Sequence, residues 1–257
     1  MKIVTYNIWN DKRGWPGRLD QIHEEIRKQQ ADLLCLQDVP NEEHCRWISE
    51  KGGFPFYSYY KPSSTCELAI LSKLPFVSTH RFGEALIGTV QVGGYTLEVM
   101  NVHLPWDSVL SRERQVMALV QENKQSRADY SLFCGDFNCV EGSSVQSFLF
   151  GKQSLYGEEA APVWDDLAIV YRDRTGVEPK ATLDLSSNPR WKGNGYQESA
   201  GTRIDWILLK ETYPKPTPKL MAFGLFGTEI SPVTGYCASD HYGVYAELDF
   251  ENIESTL

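Results

Sequence analysis

Residues 31–40 read ADLLCLQDVP: an apolar run, Leu33-Leu34-Cys35-Leu36, ends in Gln37 and Asp38, and Pro40 follows two residues later. The run is short, leucine-rich and bounded by polar residues and a proline. It therefore predicts a buried strand that delivers a carboxylate to the rim of a sheet. Taken alone, Asp38 closes a strand at the surface, as acidic residues commonly do. The choice between that reading and a metal ligand depends on whether other strands end in the same way.

They do. KIVTYNIW (2–9) carries Asn7, YTLEVMNVHL (95–104) carries His103, and YSLFCGDF (130–137) carries Asp136 with Asn138 just beyond it. RIDWILL (203–209) holds Asp205, and Asp240-His241 precede the closing HYGVYAELDF (241–250). ELAILS (67–72) and LIGTVQV (86–92) complete the strand patterns, and Gly93-Gly94 supplies the tight turn of a hairpin. Helical spacing marks GRLDQIHEEIRKQ (17–29) and SRERQVMALVQEN (111–123), and PVWDDLAIVYR (162–172) reads as a third helix. Strands that alternate with helices in some places and with hairpins in others predict an α/β architecture of two sheets packed face to face with helices outside.

The chain has 257 residues, 42% of them hydrophobic and 12% aromatic, and no linker, repeat or low-complexity stretch interrupts it. A single domain over 1–257 with a sizeable core is expected. The N-terminus starts a strand at once, without the apolar core and cleavage site of a signal peptide. No apolar run approaches a membrane span, so a cytoplasmic protein with no membrane partner is expected. The six cysteines show no C-x-x-C spacing and read as reduced, mostly buried thiols. A net charge of -9 disfavours tight duplex DNA binding, since the average surface repels phosphate. Cations at the site can still reverse that sign locally.

The strand-end residues are the ligand and proton-transfer set of hard-metal hydrolysis. Asp136 and Asn138, at i and i+2, point the same way if the extended backbone persists, and Gly135 lets the chain turn. Asp205 between Ile204 and Trp206 requires a partner. His241 is one candidate, fixed by the carboxylate as in a serine-protease triad, and Arg203 and Lys210 are the structural alternatives. His103 is held extended ahead of Pro105, with Glu67 as the group that could orient it. Trp9, Trp106 and Trp191 lie near these motifs and fit rim or core packing better than base stacking. Arg112 and Arg114 open a helix either as solvated charges or as phosphate contacts.

Eight pieces, TYNIW, LLCLQD, LAILSKLP, NVHLPW, GDFN, TLDLSSNP, GTRIDWIL and SDHYGV, follow one another in the order found in the endonuclease/exonuclease/phosphatase superfamily, the deoxyribonuclease I-like fold. The chain resembles that family over nearly its whole length. The resemblance implies a four-layer sandwich of two mixed sheets with helices outside, Mg²⁺ or Mn²⁺ at one edge, and hydrolysis of a phosphate ester. It places Asn7, Asp38 and Asp240 in the metal site and lets Asp136 and Asn138 position nucleophile and phosphate. His241 with Asp205 becomes the proton-transfer pair, and His103 binds phosphate or protonates the leaving group.

Two positions depart from the family pattern. Asp38 stands where Glu is usual, and Trp9 stands where the abasic-site endonucleases carry Asp. There is no Cys-Asp-Arg of the inositol polyphosphate 5-phosphatases, and neither Trp9 nor GDFNCV suggests the tyrosyl-DNA phosphodiesterase branch. The expected substrate is a small phosphoester or a nucleotide or nucleic-acid phosphodiester. A sphingomyelinase-like phospholipase C is the alternative enzyme, and a binding module with a degenerate metal site is the alternative outside catalysis.

Overall fold

The computed structural model describes residues 1–195 and 199–251. Its first sheet contains β1 (Lys2–Asn7), β2 (Leu33–Gln37), β3 (Phe56–Ser63), β4 (Cys66–Ser72), β11 (Lys219–Phe226) and β12 (Gly243–Asp249) in the order β11-β12-β1-β2-β4-β3. The second contains β5 (Phe76–Phe82), β6 (Ala85–Val92), β7 (Tyr95–His103), β8 (Tyr130–Asp136), β9 (Trp164–Asp166) and β10 (Asp205–Lys210) in the order β5-β6-β7-β8-β10-β9. The two sheets have matching centres. In each, a parallel pair, β1 with β2 and β7 with β8, is flanked by antiparallel neighbours.

Strand period explains the layers. Ile3, Leu33, Cys35, Leu97, Val99, Leu132, Cys134 and Ile207 point between the sheets and form one core. Their alternates on the first sheet, Val4, Tyr6, Leu34 and Leu36, pack with Ile22 and Ile26 of α1 (Gly17–Gln29) and Cys45 and Ile48 of α2 (Glu42–Gly52). On the second sheet Met100, Val102 and Phe133 pack with Val116, Leu119 and Val120 of α3 (Val109–Asn123) and Val145, Phe148 and Leu149 of α4 (Ser144–Leu149). Helices, sheet, sheet and helices make the expected four layers.

Three edge strands, β3, β5 and β11, and the two helices α2 and α4 escaped the sequence reading. One segment was misread: in PVWDDLAIVYR the residues Trp164–Asp166 form β9, and α5 (Leu167–Thr175) begins only after it. Asp166 marks that border, because its Oδ1 accepts from Ala168 N (2.9 Å) as an N-cap. The cysteines of the described structure are free and buried, as expected. No helix among the described residues is long and apolar enough to cross a membrane.

Candidate active site

The alternation that builds the inter-sheet core also builds the site. Continuing Ile3-Thr5 leads to Asn7, Cys35 leads to Gln37, Val99-Asn101 leads to His103, Cys134 leads to Asp136, and Ile207 leads back to Asp205. The polar residues therefore occupy the core-facing phase of their strands at one edge of the sandwich, where apolar filling gives way to polar side chains.

Beneath them lies a buried amide link that the sequence reading missed. Gln37 Nε2 donates to Thr5 Oγ1 (3.0 Å) and across to Asn101 Oδ1 (2.7 Å), while Asn101 Nδ2 donates back to the carbonyls of Leu36 and Ala69 (2.9 Å each). Both amides are fully buried. The available signal was Asn101 on the inward phase of an otherwise apolar strand.

Asp136 is the hub. It is 1% exposed, Asn7 Nδ2 donates to its Oδ2 (3.0 Å), and Asn138 N donates to its Oδ1 (2.9 Å). The extended backbone does not persist past it: Asn138 has φ +47°, and its Nδ2 donates to the carbonyl of Leu104 (2.9 Å). Phe137 between them turns into the outer core and stacks on Trp206 with ring centroids 4.6 Å apart. Gly135 serves close approach rather than a turn. At φ +139° the strand runs through it, and a Cβ there would lie 2.0 Å from the carbonyl oxygen of Val102.

His241 Nδ1 lies 3.0 Å from Asp205 Oδ2 and 3.9 Å from Asp136 Oδ2. Burial alone would lower the pKa of this histidine, but Asp205 and Asp136 outweigh it and hold the imidazole charged well above the usual range. Arg203, the alternative partner, is instead engaged by Glu141 and by Asp166 at 2.7 Å, and Lys210 ends β10 away from Asp205. Thr182 ties the pair together, since its hydroxyl accepts from Asp205 N (3.2 Å) and its carbonyl from Tyr242 N (2.8 Å).

His103 bridges the two sheets. Its Nδ1 is 3.3 Å from Asp38 Oδ1 and its Nε2 is 3.5 Å from Asp136 Oδ2; the first is a charge contact without the alignment of a hydrogen bond. Burial opposes its charge, yet Asp38 and Asp136 raise its pKa to about 9. Glu67 does not orient it, because Lys61 takes that carboxylate at 2.5 Å. Asp38 sits in the left-handed region at φ +58°, and although burial works against ionisation, His103 lowers its pKa.

Asp240 completes the edge. Burial raises its pKa, and the charge of Asp38 raises it further. The Ser239 hydroxyl has a single proton, which goes to the carbonyl of Asn7 (2.7 Å) rather than to Asp240 Oδ1 (3.4 Å). The half-buried carboxylate of Asp38 and the buried one of Asp240 thus repel each other at the edge that Asn7 shares, a hard oxygen-donor set of the kind that suits Mg²⁺ or Mn²⁺. Among the described residues, Asp136, Asp205 and His241 form a group of three whose ligand atoms all lie within 4.8 Å of one another. With Nδ1 and Oδ2 at hydrogen-bonding distance, a proton occupies the space a cation would need between His241 and Asp205.

Of the outlying candidates, Arg112 is a clamp: its Nη1 donates to the carbonyls of Pro105 (2.7 Å) and Trp106 (3.0 Å), while Arg114 is exposed. Trp106 is 76% exposed and Trp9 only 8%.

The sequence model described as the Endonuclease/Exonuclease/phosphatase family matches residues 4–241. The chain belongs to this family. It is accordingly an enzyme that hydrolyses phosphate esters. A search of the curated proteins finds no match. Among solved structures, D. rerio TDP2 complexed with single strand DNA product superposes with a TM-score of 0.77 at 18% identity, covering 97% of this chain and 98% of that one. Truncated Caenorhabditis elegans TDP2 gives 0.73 at 19% identity over 96% and 97% of the two chains. ANGEL2, described as a 2',3'-cyclic phosphatase, gives 0.70 at 19% over 96% and 94%. At such identities the likeness is one of fold and assigns no branch within the family.

Proposed function

We propose that this enzyme is a divalent-cation-dependent phosphodiesterase acting on nucleotide-like or small phosphodiesters. The observation that carries the reading is the convergence, on Asp136, of Asn7 from β1 and His241 from just ahead of β12 in the first sheet, and of His103 and Asp205 from strands β7 and β10 of the second. Asn7, Asp38 and Asp240 would hold the cation, which when bound supplies positive charge to the phosphoryl oxygens.

The remaining work falls to the protein's own side chains. Asp205 accepts the Nδ1 proton of His241 and fixes its tautomer, so that Nε2 faces the reaction. Asp136, oriented by Asn7 and Asn138, holds the attacking water in line with the scissile bond. His103, kept charged by its two carboxylates, stabilises a phosphoryl oxygen or gives its proton to the leaving group. The water's proton goes to Asp136, whose pKa burial raises, because the charged imidazole of His241 already carries a proton on each ring nitrogen and acts as a donor.

The D. rerio neighbour holds a DNA single strand as product, which favours short single strands over duplexes here as well. With a net charge of -9, duplex binding should be weak and steeply salt-dependent. A panel of phosphomonoesters, phosphodiesters, short oligonucleotides and liposomal sphingomyelin, run with Mg²⁺, Mn²⁺ and chelator, tests the proposal. Turnover of a phosphodiester that chelator abolishes is expected, and a chain that hydrolyses nothing under any of these conditions would be the binding module instead.

A further inference from the structure

Three arginines crowd the ring of Trp9: the guanidinium carbon lies 4.8 Å from the ring centroid for Arg13, 4.3 Å for Arg18 and 5.0 Å for Arg190. In a chain of net charge -9 this is a local concentration of cationic groups, and it stands beside the site, because Trp9 N donates to Asn7 Oδ1 (3.0 Å).

The three are not equivalent. Arg18 is fully buried and spends its donors on backbone carbonyls, among them Ile8 (3.1 Å), Trp9 (2.9 Å) and Ala238 (2.9 Å), which locks the Trp9 loop to the segment ahead of Asp240. Arg13 is neutralised by a bidentate pair with Asp11 (2.9 and 2.7 Å). Arg190 lies over Trp9 and also over Trp191, at 4.5 Å from the second centroid. Among the described residues its guanidinium makes no hydrogen bond or ion pair, and its buried Nε has no partner.

Its backbone is fixed to the site. Asn188 Oδ1 accepts from Arg190 N (3.0 Å), Asn188 Nδ2 donates to the carbonyl of Ser239 (3.0 Å), and Ser239 Oγ donates to that of Asn7 (2.7 Å). A planar cation held over two indoles, with a free fork of N–H donors, is prepared for an anion with tetrahedral oxygens. The charges of Asp240 and Asp11 alone do not require the fork, since a lysine would serve them as well.

Resting on the phosphodiesterase reading, we propose that Arg190 binds a second, non-scissile phosphate, so that the enzyme prefers nucleotide phosphodiesters carrying a further phosphate beside the scissile one. Trp9 and Trp191 position it and screen it from water.

The test compares the dinucleotide TpT with pTpT and TpTp, which add a terminal phosphate at either end. For wild type, KM for one of the phosphorylated pair should be about tenfold below that for TpT. In Arg190→Ala that ratio should collapse to about one, and Arg190→Lys, which keeps the charge without the fork, should restore only part of it. Calorimetric titration of the same three compounds in chelator reads the site without turnover. Wild type that binds a phosphorylated dinucleotide through Arg190 but hydrolyses none keeps the Arg190 site and sinks the hydrolase reading. Hydrolysis with no preference for the added phosphate does the reverse, as does a preference that survives in Arg190→Ala. Absence of both binding and hydrolysis ends both.

Discussion

The imidazole Nδ1 of His241 and the carboxylate Oδ2 of Asp205 lie 3.0 Å apart, although 36 residues separate them in sequence. Replacing His241 by Ala should lower kcat by about 10²- to 10⁴-fold with the fold intact, because it removes the proton-transfer group. Asp205→Asn should also lose activity, since an amide can fix the wrong tautomer and does not stabilise an imidazolium. Steady-state kinetics alongside circular dichroism reads both. Activity within threefold of wild type in His241→Ala would remove that residue from the mechanism.

Asp38 is one methylene shorter than the glutamate usual at its position, and its carboxylate already leans on His103. Asp38→Ala should weaken Mn²⁺ affinity by at least the roughly 10- to 100-fold typical of groups that support a metal site. Asp38→Glu should keep activity or raise it, and Mn²⁺, the less demanding ion, should support wild type at least as well as Mg²⁺. Calorimetry with Mn²⁺ decides: equal affinity in Asp38→Ala and wild type would return Asp38 to the surface role that its strand-end position first suggests.

Asn101→Leu should destabilise the protein strongly. It removes the side-chain bonds to the carbonyls of Leu36 and Ala69 and leaves one buried amide proton of Gln37 without a partner, a group that costs about 1–3 kcal/mol when unsatisfied. The midpoint of urea unfolding should fall clearly below that of wild type. Because the same amide joins the two sheets under the site, a variant with unchanged midpoint would show that another group closes the gap.

At the opposite end of the second sheet, Lys215 at 2.7 Å and the Thr96 N–H at 2.8 Å hold Asp129 charged, lowering its pKa from about 3.8 to about 2. A folded-state pKa below the unfolded one gives stability that is present above pH 3.8 and lost as pH falls through about 2. Asp129→Asn should therefore cost about 1 kcal/mol at pH 6, after discount for its exposure to solvent. The difference between variant and wild type should shrink from pH 4 downward. A gap that stays constant from pH 6 to pH 3 and below would assign it to the Thr96 hydrogen bonds instead of the charge.

The sequence by itself determined the core strands and the phase of the site. Ile3, Cys35, Val99 and Cys134 share the strand phase of Asn7, Gln37, His103 and Asp136, directly in β2 and β8 and through the polar Thr5 and Asn101 in β1 and β7, so one local rule relates core and edge. It was weaker where burial is one-sided or absent. The edge strand β5, FVSTHRF, is largely exposed and shows no apolar alternation to read, and in PVWDDLAIVYR a three-residue strand is too short to show a period of its own before the helix begins. Partner choice was beyond it for a different reason. Asp38 ends β2 and Glu67 lies near the start of the antiparallel β4, so both carboxylates reach the same edge as His103. Only the packed structure, in which Lys61 takes Glu67 and the left-handed turn at Asp38 brings its carboxylate to the imidazole, decides between them. The direction of a side chain along a strand is a local property, whereas its neighbour across two sheets is set by the order in which strands assemble.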